Sequence, residues 1–165
     1  MTAARSEEFY KALYLSSSDA IMTLEPPGWK FSSGNPSAIK MFATKDESEF
    51  VFLSPGDLSP QYQPDGELSS DKAKKMIETA LNKGSNFFEW THKRYKGEEF
   101  PATVLLTKVN INGTDILQAT VRDISKEKEN KEEIGKMNQL MIGRELKMLE
   151  LKKRIIELEN NQKGN

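Results

Sequence analysis

The feature that most constrains this chain is a long run, from Lys126 to Asn161, that contains neither a proline nor an aromatic residue. The run is rich in Lys, Glu, Leu, Ile and Met, a composition typical of a long exposed helix. All seven prolines of the chain lie before residue 124. The sequence therefore predicts two parts, a compact head up to residue 124 and a helical tail over residues 125–165.

Within the tail, apolar residues recur at alternating spacings of three and four, which is the heptad pattern of a coiled coil. A helix over residues 126–161 would be about 54 Å long, too long for a head of this size to cover. We therefore expect a parallel homodimer through the tail; the alternative is a solvated helix that folds back on its own head. Arg144 interrupts the pattern. The predicted dimer seam consists of Ile134, Met137, Met141, Met148, Leu151, Ile155 and Leu158.

Composition excludes several classes of function. The chain has no cysteine, which rules out disulfides, thiolate zinc sites, cysteine nucleophiles and a cysteinyl-flavin adduct. The net charge is −1, and the basic residues of the tail alternate with glutamate, so we expect no nucleic-acid partner. No stretch approaches the roughly 20 apolar residues of a membrane span, and the start lacks the apolar segment of a signal peptide. We expect a cytoplasmic protein without a membrane span.

The first half of the head begins with a short amphipathic helix in which Phe9 and Leu13 share one face and Ser6 is the expected cap. Alternating apolar residues then predict two strands, residues 20–25 and residues 29–33. A Pro-Pro-Gly turn between the two strands predicts a hairpin.

The middle of the head is predicted to be helical. Asn35 precedes a proline and starts a helix that carries Phe42, because the asparagine side chain caps free amides and proline fits the first position. Residues 54–70 are rich in Pro, Gly and Ser and indicate an irregular segment. Ser70 opens a longer helix that ends at Gly84.

Three strands complete the head. They cover residues 86–95, 100–109 and 116–123, and the turns between them lie at Lys96-Gly97 and at Asn112-Gly113, the strongest hairpin signal in the chain. The order of elements predicts an α+β fold, in which helices cover one face of a five-stranded antiparallel sheet.

Six short motifs follow one another along the head. They are Ser17 to Ile21, Asn35 to Phe42, Leu58 to Gly66, Phe88 to Arg94, Gly97 to Ala102 and Arg122 to Ser125. In these motifs and their order the chain resembles a PAS sensor domain over residues 7–125. The last motif looks like the D-I-T element that joins the sheet of the family to an output helix, with Ser125 in place of threonine. Ala43 departs from the family, which usually has glycine there.

The resemblance implies a sensory input module of the kind common in histidine kinases, chemoreceptors and cyclic-dinucleotide enzymes. It divides the chain into a flanking helix at 1–17, a PAS sensor domain at 18–124 and a coiled-coil linker at 125–165. Such a module perceives a small molecule or a partner and signals through a dimeric coiled coil to an output domain such as a histidine kinase. The alternative is a ligand-free module for dimerisation and protein interaction, with a filled core.

No feature of the sequence indicates catalysis. The chain has no P-loop, no H-E-x-x-H and no G-x-S-x-G motif. Its single histidine and lack of cysteine leave no pair of nucleophile and base. We therefore expect that this chain is not an enzyme, although it would be compatible with the regulatory part of one.

The inner face of the sheet and its helices are expected to enclose an apolar pocket for a small molecule; the alternative is an ordinary filled core. Haem is not expected, because a haem-binding relative would offer its ligand from the longer helix, which has no histidine. No cofactor is identified. The predicted pocket residues are Ile21, Asn35, Phe42, Met76, Phe88, Trp90, His92, Val104, Leu106, Leu117 and Val121.

The junction of head and tail is predicted at Asp123, Ile124 and Ser125. Ser125 can cap the tail helix, and Asp123 ends the last strand, where Lys93, Arg94 or Lys96 could pair with it. A signal that alters this pairing would change how the tail helix begins. The alternative is that Asp123 is only a capping residue at the surface.

Overall fold

The computed structural model describes residues 2–163. It divides into two compact units, one that ends at Ser125 and one that begins at Lys126. Met1 and residues 164–165, which the predicted flanking helix and tail include, lie outside the described residues.

Residues 2–163 form five strands and five helices. The elements in chain order are α1 (Ala3–Ser16), β1 (Ala20–Glu25), β2 (Lys30–Gly34), α2 (Pro36–Phe42), α3 (Glu47–Phe50), α4 (Ser69–Lys83), β3 (Ser85–Lys93), β4 (Glu99–Ile111), β5 (Thr114–Asp123) and α5 (Ser125–Lys163).

The five strands form one antiparallel sheet in the order β2-β1-β5-β4-β3. The last strand of the head, β5, therefore lies at the centre, between the N-terminal hairpin and the β3–β4 hairpin. This architecture confirms the predicted α+β class and the five-stranded sheet. One face of the sheet, the inner face, is buried; its buried side chains are Ala20, Met22, Leu24, Phe31, Trp90, Phe100, Ala102, Val104, Leu106, Leu117, Ala119 and Val121.

The N-terminal helix begins earlier than predicted. Its cap is Thr2, and the amide of Ser6 already donates to the Thr2 carbonyl, so Ser6 lies in the first turns of the helix instead of capping it. Phe9 and Leu13 remain about half exposed, at 49% and 53%. Tyr14 ties the end of the helix to the sheet through a hydrogen bond of 3.2 Å to the Ser33 hydroxyl.

Helix α2 begins as its sequence predicts. The Asn35 side chain accepts the amide of Ala38 at 3.0 Å, and a proline stands at the first helical position. The helix ends at Ala43, whose φ of 56° lies in the left-handed region. Because this conformation favours glycine, the backbone explains why the PAS family usually has glycine at this position.

Helix α4 starts at Ser69, one residue earlier than predicted, and ends at Gly84 as expected. Gly84 has a φ of 89° and its amide donates to the Ala80 carbonyl, which is the usual way to end a helix. Ala80 is fully buried against the sheet. The neighbouring apolar residues Ala73, Met76, Ile77 and Leu81 pack against the same core.

The turns lie at the predicted residues, but several strand boundaries differ: β3 ends at Lys93 instead of Tyr95, and β5 begins at Thr114 instead of Ile116. Asn112 and Gly113 both have positive φ and form the tip of the β4–β5 hairpin, as expected for an Asn-Gly turn. Lys96 also has positive φ, in the turn between β3 and β4. Trp29 was predicted within β2, but its φ of 51° places it in the preceding turn.

The irregular segment between α3 and α4 covers the edge of β3. The Lys93 amide donates to the Leu58 carbonyl at 2.9 Å. The buried side chain of Gln63 both accepts from the amide of Thr91 and donates to its carbonyl, as a neighbouring strand would. These bonds satisfy part of an otherwise open strand edge.

Candidate functional site

A cavity of about 60 Å³ lies between the inner face of the sheet and helix α4. Its walls are almost entirely apolar, because alternate residues of every strand point inward and α4 presents one apolar face to them. Its lining residues are Met22, Leu24, Phe31, Pro55, Ser59, Ala73, Met76, Ile77, Phe88, Trp90, His92, Val104, Leu106, Ala119 and Val121.

The structure brings most of the predicted pocket residues together at this cavity. The predicted residues that line it are Met76, Phe88, Trp90, His92, Val104, Leu106 and Val121. Sheet register explains part of this grouping, because Phe88, Val104 and Val121 stand opposite one another on neighbouring strands.

The prediction for Ile21 is wrong. Ile21 pairs with Thr120 on the outer face of the sheet, whereas Met22 pairs with Ala119 on the inner face and is only 1% exposed. Successive side chains of a strand point to opposite faces of the sheet. Assigning Ile21 to the inner face therefore places every side chain of β1 on the wrong face. The correct parity places Met22 and Leu24 at the cavity.

Asn35 does not line the cavity, because its side chain is fully engaged elsewhere. Its Oδ1 accepts from the amides of Ile21 and Ala38, and its Nδ2 donates to the carbonyls of Tyr14 and Asp19, at 3.0 to 3.1 Å. The side chain is completely buried. Asn35 thus connects α1, β1 and α2 and has no remaining hydrogen-bonding capacity for a ligand.

Phe42 and Leu117 were also predicted in the pocket, but both are fully buried core residues outside the cavity lining. Phe42 packs behind the cavity wall. Its ring centroid lies 5.1 Å from that of His92 and 5.9 Å from that of Phe100. Phe42 therefore supports a lining residue without facing the cavity itself.

Several lining residues were not in the predicted set. Ala73 and Ile77 share the inward face of α4 with Met76, so helical spacing already indicated their position. Pro55 and Ser59 come from the irregular segment, which has no periodicity that could have placed them. The remaining ones, Met22, Leu24, Phe31 and Ala119, follow from strand parity once the register is known.

Three polar side chains of the cavity lining, Trp90, Ser59 and His92, make hydrogen bonds to the protein. The Trp90 indole N–H donates to the Ser59 hydroxyl at 3.0 Å, and that hydroxyl donates to the Pro55 carbonyl at 2.7 Å. His92 Nδ1 lies 3.2 Å from the Leu58 carbonyl. Burial lowers the pKa of His92 from 6.5 to about 4, and the bond to Leu58 opposes this only in part, so the imidazole is neutral near pH 7.

Arg94 is the residue that pairs with Asp123. Its Nη2 donates to Asp123 Oδ2 at 3.0 Å, its Nε to Glu98 at 2.7 Å, and its Nη1 to the carbonyl of Met41 near the end of α2. The guanidinium lies 4.2 Å from the ring centroid of Phe100. Of the three cations that the sequence offered, the structure selects the one that also contacts α2.

Asp123 is bonded to the first residue of α5 as well. Its Oδ1 accepts from the amide of Ser125 at 2.9 Å and from the Ser125 hydroxyl at 2.6 Å. The Ser125 hydroxyl therefore acts as a donor to Asp123, and the group that accepts the first amide of α5 is the Asp123 carboxylate. Ile124 continues the chain from β5, and its amide donates to the Pro101 carbonyl at 3.0 Å.

The surroundings of Asp123 favour its charged form. Burial acts to raise the pKa of Asp123, but the hydrogen bonds from Ser125 and the ion pair with Arg94 outweigh it, so the pKa lies below its ordinary value. The carboxylate therefore stays ionised at neutral pH. It can hold both the arginine and the helix start at the same time.

The described part of α5 leaves its predicted seam open. Every predicted seam residue between Ile134 and Leu158 is 47–61% exposed.

Within residues 2–163, no group of three or more His, Cys, Asp or Glu is arranged to hold a metal ion. The helices over these same residues include none long and apolar enough to cross a membrane.

Comparison with known proteins places the fold. No protein-family model matches the sequence, and no curated protein matches it either. Among solved structures, the chain is similar to a PAS domain from a two-component sensor histidine kinase, with 16% identity and a TM-score of 0.59 over 74% of this chain and 99% of that one.

Two further solved structures have the same fold. One is an RNA-binding light-oxygen-voltage receptor, with 14% identity and a TM-score of 0.65 over 85% of this chain and 39% of that one. The other is the PAS domain of a LuxR-family transcriptional regulator from Burkholderia thailandensis in complex with ethanol, with 18% identity and a TM-score of 0.55 over 70% of this chain and 97% of that one. These similarities establish the PAS fold.

Proposed function

We propose that this chain is the non-catalytic input module of a cytoplasmic signalling protein. A small molecule or a partner is perceived at the head, and the tail forms a coiled coil with the tail of a second copy. The coiled coil carries the signal to an output domain such as a histidine kinase. The proposed binding site for a small molecule is the cavity. The boundaries proposed for the flanking helix, the PAS domain and the linker are those that the sequence predicts.

A series of contacts from the cavity to the start of α5 supports the proposal most directly. The His92 ring lines the cavity and packs edge-on against Phe42 of α2. The end of α2 is held by Arg94 through the Met41 carbonyl, and Arg94 also binds Asp123. A ligand that displaces His92 would therefore act on the residue that fixes the first turn of α5.

The apolar lining supports a small, uncharged ligand. An apolar cavity without buried charges offers no compensation for desolvating an ion, so a charged molecule would be excluded. The similar PAS domain from Burkholderia thailandensis was solved with ethanol, a molecule of this kind. Met22, Met76 and Phe88 line the wall on both the strand and the helix side, and methionine side chains adapt readily to different shapes.

The exposed seam supports dimerisation of the tail. Burying an apolar side chain of this size stabilises by about 1.5–3 kcal/mol, so a seam of such residues can hold two helices together. We expect that replacing Met148, Leu151 and Ile155 by glutamate converts a dimer into a monomer in light scattering.

The matched control for the seam replaces Leu146, Leu149 and Ile156 by glutamate. These residues are similarly exposed, at 57–62%, but lie off the predicted seam. The control protein should remain a dimer. A dimer that persists in the seam variant, or a monomeric wild-type chain, contradicts the proposed coiled coil.

Transmission is tested by fusing the tail to a histidine-kinase catalytic region and measuring autophosphorylation with and without ligand. Asp123→Asn should reduce the response of the kinase to ligand while leaving ligand affinity nearly unchanged, because Asp123 lies outside the cavity lining. Glu98→Gln, which removes the exposed carboxylate bonded to Arg94, is the control and should respond normally. An equal response in both variants contradicts the proposed junction.

The small volume of the cavity favours a second candidate, a ligand-free module for dimerisation and protein interaction. A cavity of about 60 Å³ is well below the roughly 300 Å³ at which typical small-molecule pockets begin. Mass spectrometry of the denatured, freshly purified protein distinguishes the two candidates. A retained small molecule, or a thermal shift with a metabolite, supports sensing, whereas an empty protein without any shift supports the ligand-free module.

A further inference from the structure

The polar side chains of the cavity lining are turned to the protein and not to the cavity. The Trp90 indole donates to the Ser59 hydroxyl, and that hydroxyl donates to the Pro55 carbonyl. Nδ1 of His92 lies 3.2 Å from the Leu58 carbonyl, and Nε2 of the same ring has almost no accessible surface. A molecule in the cavity therefore meets the carbon and sulfur atoms of the lining side chains.

The lining carries no charge at neutral pH. Among the described residues that line the cavity, His92 is the one with an ionisable side chain, and burial lowers its pKa to about 4. An ion would therefore lose its hydration without compensation. A buried water needs roughly two to four polar partners, and apolar cavities that lack them stay dry. The cavity accordingly favours an occupant that is both uncharged and apolar.

The volume of the cavity limits this occupant to a very small molecule. A dry cavity of about 150 Å³ binds benzene, so each ring carbon takes roughly 25 Å³. By this scale a cavity of about 60 Å³ holds about two or three non-hydrogen atoms. Uncharged apolar molecules of that size are dissolved gases, and dioxygen is one of them.

We propose that the cavity is a binding site for an apolar gas molecule of about two or three non-hydrogen atoms, with dioxygen as the representative ligand. This inference rests on the proposed function, because it names the ligand class of the same cavity. Dispersion contacts hold the gas against both walls, with Met22 and Val104 on the sheet and Met76 on α4. Because so few atoms make contact, the dissociation constant is on the order of millimolar.

The first test uses the paramagnetism of dioxygen and the full chain with labelled methionine and alanine methyl groups. Pressurised dioxygen accelerates the relaxation of every methyl proton that it approaches closely. Met22 is 1% and Ala119 4% exposed, so the fold shields both methyl groups from dioxygen in the solvent. We expect these two groups, which line the cavity, to relax faster under dioxygen than under dinitrogen. The control is Ala38, which is fully buried outside the cavity lining and should change much less.

The second test locates the gas with xenon, which dry apolar cavities also bind. Increasing xenon pressure should shift the methyl resonances of Met22 and Met76 until they saturate. Ala119→Val places two further carbons in the cavity, which take about 50 Å³ by the scale above, and should weaken xenon binding at least about 10-fold. Thr120→Val, on the outer face of the sheet, is the control and should bind xenon like wild type. If Ala119→Val does not fold, Ala73→Val fills the cavity from α4.

Three outcomes overturn the gas site. The cavity methyl groups respond to neither gas, or xenon binds Ala119→Val as well as it binds wild type, or a nuclear Overhauser contact with water at the Met22 methyl shows that the cavity is wet. In each case a retained metabolite would still support sensing. Failure of the proposed function looks different. Gas then binds in the cavity, but the kinase fusion autophosphorylates equally under dioxygen and dinitrogen.

Discussion

Nη2 of Arg94 lies 3.0 Å from Oδ2 of Asp123, and this ion pair spans strand β4 to join the end of β3 to the end of β5. The guanidinium rests on the ring of Phe100 in the intervening strand. Both charged side chains are about three-quarters buried, with 25% and 28% exposed. The pair is therefore less screened by solvent than a typical surface salt bridge.

A double-mutant cycle measures this pair. Asp123→Asn should lower the free energy of unfolding by about 1 kcal/mol, because the variant loses the ion pair and weakens the bonds to Ser125. Combined with Arg94→Met, it should give a coupling energy of about 1 kcal/mol in urea unfolding. Glu98→Gln, whose side chain is 72% exposed, should change stability by less than about 0.5 kcal/mol. A coupling energy near zero would show that the pair is only incidental.

Asn35→Asp is expected to destabilise the head by about 2–4 kcal/mol. The change keeps the shape of the side chain but replaces an amide that donates to Tyr14 and Asp19 with an oxygen that faces both carbonyls. Chemical denaturation measures the loss. The control is Asn112→Asp in the exposed β4–β5 turn, which should remain within about 0.5 kcal/mol of wild type. Similar stabilities for the two variants would contradict the role assigned to Asn35.

Ala43→Gly should stabilise the protein by about 1 kcal/mol. Ala43 is exposed and holds a φ of 56°, so its methyl group gives little packing while the left-handed backbone disfavours any Cβ. The reverse change at Gly113→Ala, where φ is 83°, should destabilise by a similar amount. Thermal unfolding measures both. A lower melting temperature for Ala43→Gly would contradict the assigned strain.

Gly34→Ala should destabilise by about 1–3 kcal/mol for a different reason. A Cβ at Gly34 would lie 2.8 Å from the ring of Phe50, which is fully buried and cannot move aside easily. Gly28→Ala is the matched control, because its Cβ would meet only the flexible Lys30 side chain at 3.8 Å. Urea unfolding of the two variants gives the comparison. If Gly34→Ala is as stable as wild type, the packing of α3 on β2 is looser than described.

Acidification should destabilise the head through His92. Its pKa is about 4 in the folded chain and about 6.5 when unfolded, so between these values the unfolded state binds the additional proton. The free energy of unfolding therefore falls as pH decreases from about 6.5 to about 4, by roughly 3 kcal/mol. His92→Phe should flatten this part of the profile in urea unfolding at a series of pH values. An unchanged profile would mean that His92 is not the responsible group.

Local sequence was sufficient for the order and type of the elements. Alternating apolar residues, the Asn-Gly turn at Asn112 and the capping side chain of Asn35 act within a few residues of themselves, so their effect can be predicted without the fold. The apolar face of α4 follows from helical spacing for the same reason. Its end at Gly84 is a local signal as well.

Long-range pairing decided what local sequence could not. Ile21 and Met22 are both apolar, and only the pairing of β1 with β5 determines which of them faces the cavity. Arg94 was one of three cations near Asp123, and its selection depends on the approach of α2 and on the ring of Phe100.

The sequence by itself determined an α+β head with the PAS order of strands and helices, because turns, caps and periodicity are encoded over short distances. The heptad pattern of the tail is local in the same sense, and the dimer that it predicts awaits light scattering. Only the tertiary structure decided the lining of the cavity and the hydrogen bonds of its polar side chains. Both depend on residues such as Leu58 and Ser59, whose irregular segment is positioned by contacts with a distant strand edge and not by any repeat of its own.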